Sequence, residues 1–456
     1  MSKSLFIGTV LLLITITRGT AAEIKPASLR MATFDLDATP PIGSMMAYNP
    51  VANLWDLGLR ARGVVLLGAG EPIVLCAVDW IGIANEGHDY FRKALAEAAG
   101  TSMECVTVHA LHQHDAPDCD FSAERLLKAA GHSARQYEGD FQRQVISNLQ
   151  VAIRAVLPRA QPITEIGTGE ARVEKVASNR RILGADGKVR AIRLTTTKDP
   201  KVRAEPEGVI DPMVSLVSFW SGKQPVAVLS YYATHPQSYY RTGLPNPDFP
   251  GIARFQRQLA VPAALHVHFN GAGGNVGAGK YNDGAKENRG LLAERLADGM
   301  RRAWESTKRQ PIVASNVTWT VQAIALPLAK HLDREKLEAR LKAGEKLFVE
   351  RGEVSRLAWL QRSQAGHKVE ISCLSLGSAR ILHLPGETFV EYQLAAKAML
   401  PKNFVAVASY GDYAPWYIGT TIAYEEGGYE TGPDVSNVAP EVEPVLMAAI
   451  KKLLQP

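Results

Sequence analysis

The sequence predicts an α/β to α+β protein, with mixed sheets flanked by helices and its chemistry at the carboxyl ends of strands. Three observations carry this. The runs Gly63–Leu67 and Ile73–Ile83 are continuous and rich in Val, Ile and Leu, as in strands covered on both faces. A helical segment and another apolar run follow, and that strand–helix–strand order implies a parallel pair with a right-handed crossover. Polar residues then recur just past strand ends, where open sheets place their ligands.

The elements follow in chain order. Lys3, the apolar run Leu5–Ile16 and the small residues Thr20-Ala21-Ala22 form the pattern of a secretory leader, so a signal peptide is expected over 1–22. The remainder, 23–456, is expected to be a single domain exported to the periplasm or beyond. The leader run is short for a membrane span and no second long apolar stretch follows, so no span is expected in the mature chain. Helical spacing covers His88–Ala99, with Gly100 as a stop. Cys105–Ala110 is the next strand. Further strands are expected at Pro225–Tyr232, Leu265–Phe269 and Phe404–Ser409, and Ile371–Leu376 with Ala379–Leu384 reads as a hairpin around Gly377-Ser378. Helices are expected at Glu124–Ala130, Phe141–Val156, Glu287–Trp304, Arg334–Ala365, Tyr392–Met399 and Glu441–Leu454. The charge-rich helix from Arg334 reads as a solvated face outside the core. No internal repeat is visible.

Composition removes several function classes. Lys and Arg number 51 against 46 Asp and Glu. Without Lys3 and Arg18 of the leader the balance is about +3, too even to argue for nucleic acid. Four Cys in 456 residues do not make a disulfide scaffold. Cys76 and Cys373 sit in apolar runs as buried thiols, whereas Cys105 and Cys119 flank a histidine cluster and leave one bridge open. The absence of any CxxC pair argues against zinc held by several Cys.

That cluster carries the chemistry. His112-Gln113-His114-Asp115-Ala116-Pro117 follows the strand ending at Ala110, and imidazole is a versatile zinc ligand. Ala233-Thr234-His235-Pro236, Leu384-Pro385-Gly386-Glu387 and the segment Tyr410–Tyr417 follow other strand ends. Two His, one Glu and one Tyr would suit a zinc ion with room for water. Each alone also has a plain reading: His235 as a strand cap, Glu387 as a turn carboxylate, Tyr417 as packing. Asp79 and Asp115 are candidates to orient the ligand imidazoles. Gly271–Gly279 lacks the Gly-Lys-Ser/Thr of a phosphate loop and reads instead as a close backbone approach.

In this order the motifs resemble the neutral/alkaline ceramidase family, in its N-terminal catalytic domain. The likeness runs through Pro41–Tyr48, Leu59–Val65, Val78–Gly82, the paired histidines, Ser178-Asn179-Arg180, His235-Pro236, Asn270–Val276, Pro385-Gly386-Glu387 and Asp412–Glu430. Each motif is short, and their collinearity is the specific part. The resemblance implies a zinc-dependent amidohydrolase acting on an N-acyl, ceramide-like small-molecule or lipid substrate. It implies His112, His235, Glu387 and Tyr417 as zinc ligands. It implies His114, Arg180 and Tyr429 as residues acting on the substrate, with Arg181 the alternative to Arg180 if the register slips by one. Tyr424 keeps an intermediate family tyrosine. The chain departs from the family pattern where the family's loop serine has no clear counterpart and Gly277 stands nearby, where Asp115-Ala116-Pro117 replaces Ser-Gly-Pro, and in ending without an immunoglobulin-like domain. Hydrolysis of esters or carbohydrate-linked groups, and a silent binding homologue, are the alternatives.

Overall fold

A computed structural model describes residues 28–455 except 347 and 349–351. The expected leader lies outside the described residues. Three mixed sheets make up the fold, and each is built on the same plan: three antiparallel strands, a helix, then a fourth strand parallel to the third. The first runs Arg30–Asp37, Arg60–Leu67, Ile73–Val78, helix Asn85–Ala99 and Val106–Ala110. The second runs Glu165–Arg172, Met213–Ser221, Gln224–Tyr232, helix Asp248–Ala260 and Leu265–Asn270. The third runs Val317–Ile324, Val369–Leu376, Ala379–His383, helix Val390–Met399 and Val405–Ala408. Short edge strands, Gln161–Pro162 and Lys308–Pro311, extend the first and second. The repetition is in topology alone, which is why the sequence shows no repeat.

Alternate strand residues explain the unbroken apolar runs. Leu66, Leu75, Phe219, Leu229, Phe269, Leu374 and Ile381 point from all three sheets into one shared core. The intervening residues face the outer helices: Val74, Cys76 and Val78 against Phe91 and Leu95, and Val228 against Leu292 and Leu296. Both faces are therefore buried, as continuous hydrophobic strands require. Truncating a central side chain such as Phe269 to Ala costs about 3–5 kcal/mol.

Several expectations need correction. The strand from Ile73 ends at Val78, because Asp79 and Trp80 turn the chain before the short strand Gly82–Ile83. The expected helix Arg334–Ala365 is two helices, Arg334–Ala343 and Glu353–Gln364. Gly344 ends the first in the left-handed conformation, φ 67°. The second is no solvated face, since Leu357, Ala358, Trp359 and Leu360 are buried. Its Arg356 guanidinium stacks over the Trp416 ring at 4.9 Å. All four cysteines are free thiols, so Cys105 and Cys119 are not bridged. The strand Glu165–Arg172 escaped the apolar pattern because Gly167 and Gly169 replace bulk in its middle. A Cβ on Gly169 would strike the Ala303 carbonyl of the covering helix.

Candidate metal centre

Each of the three sheets sends a side chain from its carboxyl end to one buried point. His112 follows the last strand of the first sheet, with φ 70°, in a left-handed conformation that costs a non-glycine residue on the order of 1 kcal/mol. Its backbone N–H is tied to the Trp80 carbonyl. His235 follows the third strand of the second sheet, and its N–H donates to the Val276 carbonyl. Glu387 follows the third strand of the third sheet. A two-residue parallel pairing sets Glu387 directly opposite Tyr417. The glycine loop fits between these pieces, and a Cβ on Gly274 would collide with the Glu387 carbonyl.

The donor atoms converge. His112 Nε2 lies 3.2 Å from His235 Nε2. The Glu387 Oε2 atom is 3.3 Å from the first and 3.1 Å from the second. Tyr417 OH is 3.2 Å from His235 Nε2. Four donors at zinc bond lengths of roughly 2.0–2.1 Å stand about 3.3–3.4 Å apart at the corners of a tetrahedron. The proton positions agree with that fit. His112 Nδ1 contacts the Ile81 carbonyl at 2.6 Å, and His235 Nδ1 the Gly273 carbonyl at 2.9 Å. A carbonyl only accepts, so the ring protons sit on Nδ1 and both Nε2 lone pairs face each other and a carboxylate. Glu387 Oε2 has no hydrogen-bond partner of its own. Such a cluster of lone pairs is repulsive unless a cation is shared among them, so the residues fit a divalent metal. His114 is near enough to join, since its ligating atom lies within 4.8 Å of those of His112 and His235. The Glu387 oxygen stands closer to the pair.

The remaining expected residues line the same place. Arg180 is buried; its Nη1 donates to Tyr417 OH at 3.0 Å and its Nε lies 3.1 Å from Glu430. Arg181 turns away, pairing with Glu426 and Glu430 and stacking on Phe389, so of the two arginines it is Arg180 that reaches Tyr417. His114 stacks on Tyr48, and its Nδ1 has no partner. Tyr429 is partly exposed, with its ring 5.8 Å from that of Tyr417 and the Arg180 guanidinium 5.6 Å above it. Burial pushes the Glu387 carboxyl up, yet facing His112 and His235 brings it well below the ordinary range. Burial, reinforced by His112 and His235, holds His114 far below the usual imidazole value, so it is neutral. Burial raises the Tyr429 phenol to about 12.

Asp79 and Asp115 do not orient the imidazoles as expected; backbone carbonyls do. Asp79 is committed to Arg254 at 2.6 Å, and Asp115 accepts from the Arg241 and Thr242 N–H groups and the Thr242 hydroxyl. Lys280, just after the glycine-rich loop, donates to the carbonyl of Arg203. Sequence reasoning missed Tyr413, whose hydroxyl donates to Glu387 Oε1 at 2.7 Å, and Tyr410, whose ring stacks on His112 at 4.6 Å. Both lie in the aromatic stretch that supplied Tyr417, so the signal was present but unresolved. Glu430, the partner of Arg180, gave no signal beyond its neighbour Tyr429.

A cavity of about 210 Å³ opens beside His112, His114, Glu387 and Tyr429. Its far wall carries Asp118, Asp120 and Cys119. Burial, then Asp120, raises the Asp118 carboxyl to about 7. Burial pushes the Cys119 thiol well up, which excludes it as a nucleophile.

No family model and no curated protein matches the chain. Solved structures do. A ceramidase complexed with C2 superposes with a TM-score of 0.67 at 16% identity, over 94% of this chain and 75% of that one. The neutral ceramidase from Pseudomonas aeruginosa gives 0.65 at 17% identity, over 94% and 74%. The chain therefore has the fold of the neutral ceramidases.

Proposed function

We propose that this protein is a zinc-dependent amidohydrolase that cleaves an N-acyl substrate into a carboxylic acid and an amine. The single observation behind the reading is the convergence of the His112, His235 and Glu387 donor atoms, with both imidazoles fixed through Nδ1. The ceramidase fold supports the amide as the bond cleaved. In this reading His112, His235, Glu387 and Tyr417 hold the ion. Zinc bound there would polarise a carbonyl and lower the pKa of water from about 15.7 towards 7.

The chain's own residues do the rest. Water oxygen bonds to the acyl carbon, negative charge develops on the former carbonyl oxygen, and the C–N bond then breaks. Tyr429, on the cavity lining, and Arg180, whose guanidinium lies 5.6 Å over the Tyr429 ring, are the donors assigned to that oxygen, and one such donor is typically worth about 3–4 kcal/mol of barrier. His114, neutral and beside the paired ligands, takes a proton and returns it to the departing nitrogen. Gly277, near the family's loop-serine position, would bring a Cβ to His235 and Arg180, and as glycine it supplies no hydroxyl nucleophile. Among the described residues no helix is long and apolar enough to cross a membrane. The reading places the enzyme outside the cytoplasm on its leader-like segment alone. The test is elemental analysis joined to a hydrolysis screen over N-acyl lipids, N-acyl amines and esters. Stoichiometric zinc with amide turnover is expected, and ester turnover without amide turnover would defeat the amidase assignment.

A further inference from the structure

Among the described residues, Asp118 and Asp434 line the cavity without a side-chain hydrogen bond or ion pair, and of the two Asp434 lies near the Arg356 guanidinium. Asp120 caps the helix Phe121–Ala129 and accepts from Asn85 and Ser355. Glu387 belongs to the metal centre. Among the described residues, the Asp118 side chain receives no recorded hydrogen bond and no ion pair, and only its backbone carbonyl is used, by Gln142. The neighbouring carboxylate of Asp120 adds negative charge to the same wall, and Asp434 lines the cavity as well. Arg180, outside the cavity lining, is committed to Glu430 and Tyr417, and Arg356 stacks on Trp416. Asp118 does not stand alone in lacking a partner. His114, only 8% exposed, lines the same cavity with an unpaired Nδ1.

The cavity is also small and polar. Its volume of about 210 Å³ falls below the roughly 300–1,000 Å³ of sites for drug-sized ligands. Tyrosines, Ser355, Gln136 and the acids share the lining with Ile81, Ala84, Trp416 and Val435. Further apolar surface lies outside. Tyr48 lines the cavity, and the same segment carries Ile42, Leu54 and Trp55, exposed by 65%, 46% and 73%.

Resting on the amidase reading, we infer that the amine half of the substrate enters this cavity and carries an ammonium group that pairs with Asp118. The substrate class is then a monoacylated diamine, or an N-acyl amine of the same charge and reach, rather than a two-chain lipid. The acyl chain lies outward along Tyr48 and the exposed apolar segment. Asp118 is half-buried, with its carboxylate facing the cavity and no counter-charge paired with it, and an ammonium at hydrogen-bond distance supplies that charge. The reaction is the hydrolysis already written: the C–N bond breaks, the acid retains the water oxygen, and a free diamine departs.

The experiment uses the full chain loaded with zinc and two amides of matched length, N-hexanoyl diaminobutane and N-hexanoyl pentylamine. The wild type is expected to favour the charged amide at least about tenfold in kcat/KM, the worth of one charge-assisted hydrogen bond. Asp118→Asn should bring the two within about twofold while leaving the neutral amide's rate in place. Calorimetric titration with diaminobutane itself gives a readout independent of turnover, with binding to the wild type and at least about tenfold weaker binding to the variant. Equal kcat/KM for the two amides, or a preference that survives in Asp118→Asn, overturns the inference and leaves the amidase reading standing. Diamine binding that depends on Asp118, with no hydrolysis of either amide, supports the cation site and overturns the amidase reading instead.

Discussion

His109 and His112 leave the same strand end for two different surroundings. His109 points into the core, edge-on to Phe269 and tilted against His383, 5.3 Å between ring centroids. Its Nδ1 contacts the Ser409 carbonyl, and no carboxylate is recorded against it or against His383 among the described residues. His112 lies beyond the strand, in a strained conformation, with its Nε2 directed at a second imidazole and a carboxylate. Both clusters are buried histidines with Nδ1 or its neighbours tied to the backbone. What separates them is Glu387 and the mutual aim of the Nε2 atoms. Burial alone makes a neutral histidine; burial with an anion and converging lone pairs makes a place for a cation.

The largest expected effect separates the two clusters outright. His235→Ala should lose stoichiometric zinc and lower amide hydrolysis on the order of 1,000-fold or more. His109→Leu should retain both, as read by elemental analysis and initial rates. Equal zinc loss in the two variants would erase the distinction.

The core cluster shows itself instead in acid. Burial lowers His109 to about 3, and does the same to His268, a second-sheet histidine that makes no ring contact with His109 or His383. The unfolded chain protonates them near 6.5, whereas the folded chain does not. The unfolded state thus binds more protons over this window, and stability falls as pH drops from about 6.5 towards 3. Above 6.5 these groups contribute no pH dependence. The loss is on the order of 4 kcal/mol per histidine at the acid end. Urea titrations at pH 7 and pH 4, run with a chelator present, should show a smaller drop for His109→Leu than for the wild type. An unchanged drop would mean that this site is not the acid sensor.

A third step probes the rim of the metal cluster, which the core cluster lacks. Tyr429→Phe and Arg180→Met should each lower turnover about 100-fold with zinc content unchanged. Arg180→Met also removes a donor to Tyr417, so its zinc affinity is measured alongside. Full turnover in Tyr429→Phe would remove that hydroxyl from the chemistry.

How much of this was legible in the sequence follows from the same contrast. The strands Ile73–Val78 and Val106–Ala110 were visible because both faces are apolar, and His112, His235 and Glu387 because each follows such a strand. Glu165–Arg172 was hidden by its glycines, and Val317–Ile324 by one face that is only partly buried. Arg356 and its neighbours gave Glu353–Gln364 the look of a solvated helix, although the charge is spent on a ring inside the protein. The role of Asp115 was misread because a carboxylate beside a histidine in sequence says nothing of which partner it meets, here the Arg241 and Thr242 N–H groups and the Thr242 hydroxyl. The topological repeat left no trace, since strand order is kept by packing that many sequences satisfy.

The smallest effect tests what holds the carboxylate that distinguishes the two clusters. Tyr413 donates its hydroxyl to Glu387 Oε1 at 2.7 Å and leaves Oε2 to face the imidazoles. Tyr413→Phe keeps the ring and removes only that donor. The carboxylate is then free to rotate, and its two oxygens compete for one position. Partners of this kind typically cost 10–100-fold in metal affinity when removed, and the lower end, about tenfold, is expected because the backbone pairing of Glu387 with Tyr417 persists. Competition against a chromophoric chelator reads the affinity, and turnover at saturating zinc should return to within about twofold of the wild type. Tyr231, buried in the shared core, supplies the contrast: Tyr231→Phe should leave zinc affinity unchanged. If Tyr413→Phe also binds zinc as tightly as the wild type, Glu387 is positioned by its backbone alone, and the hydroxyl is no part of what sets the two clusters apart.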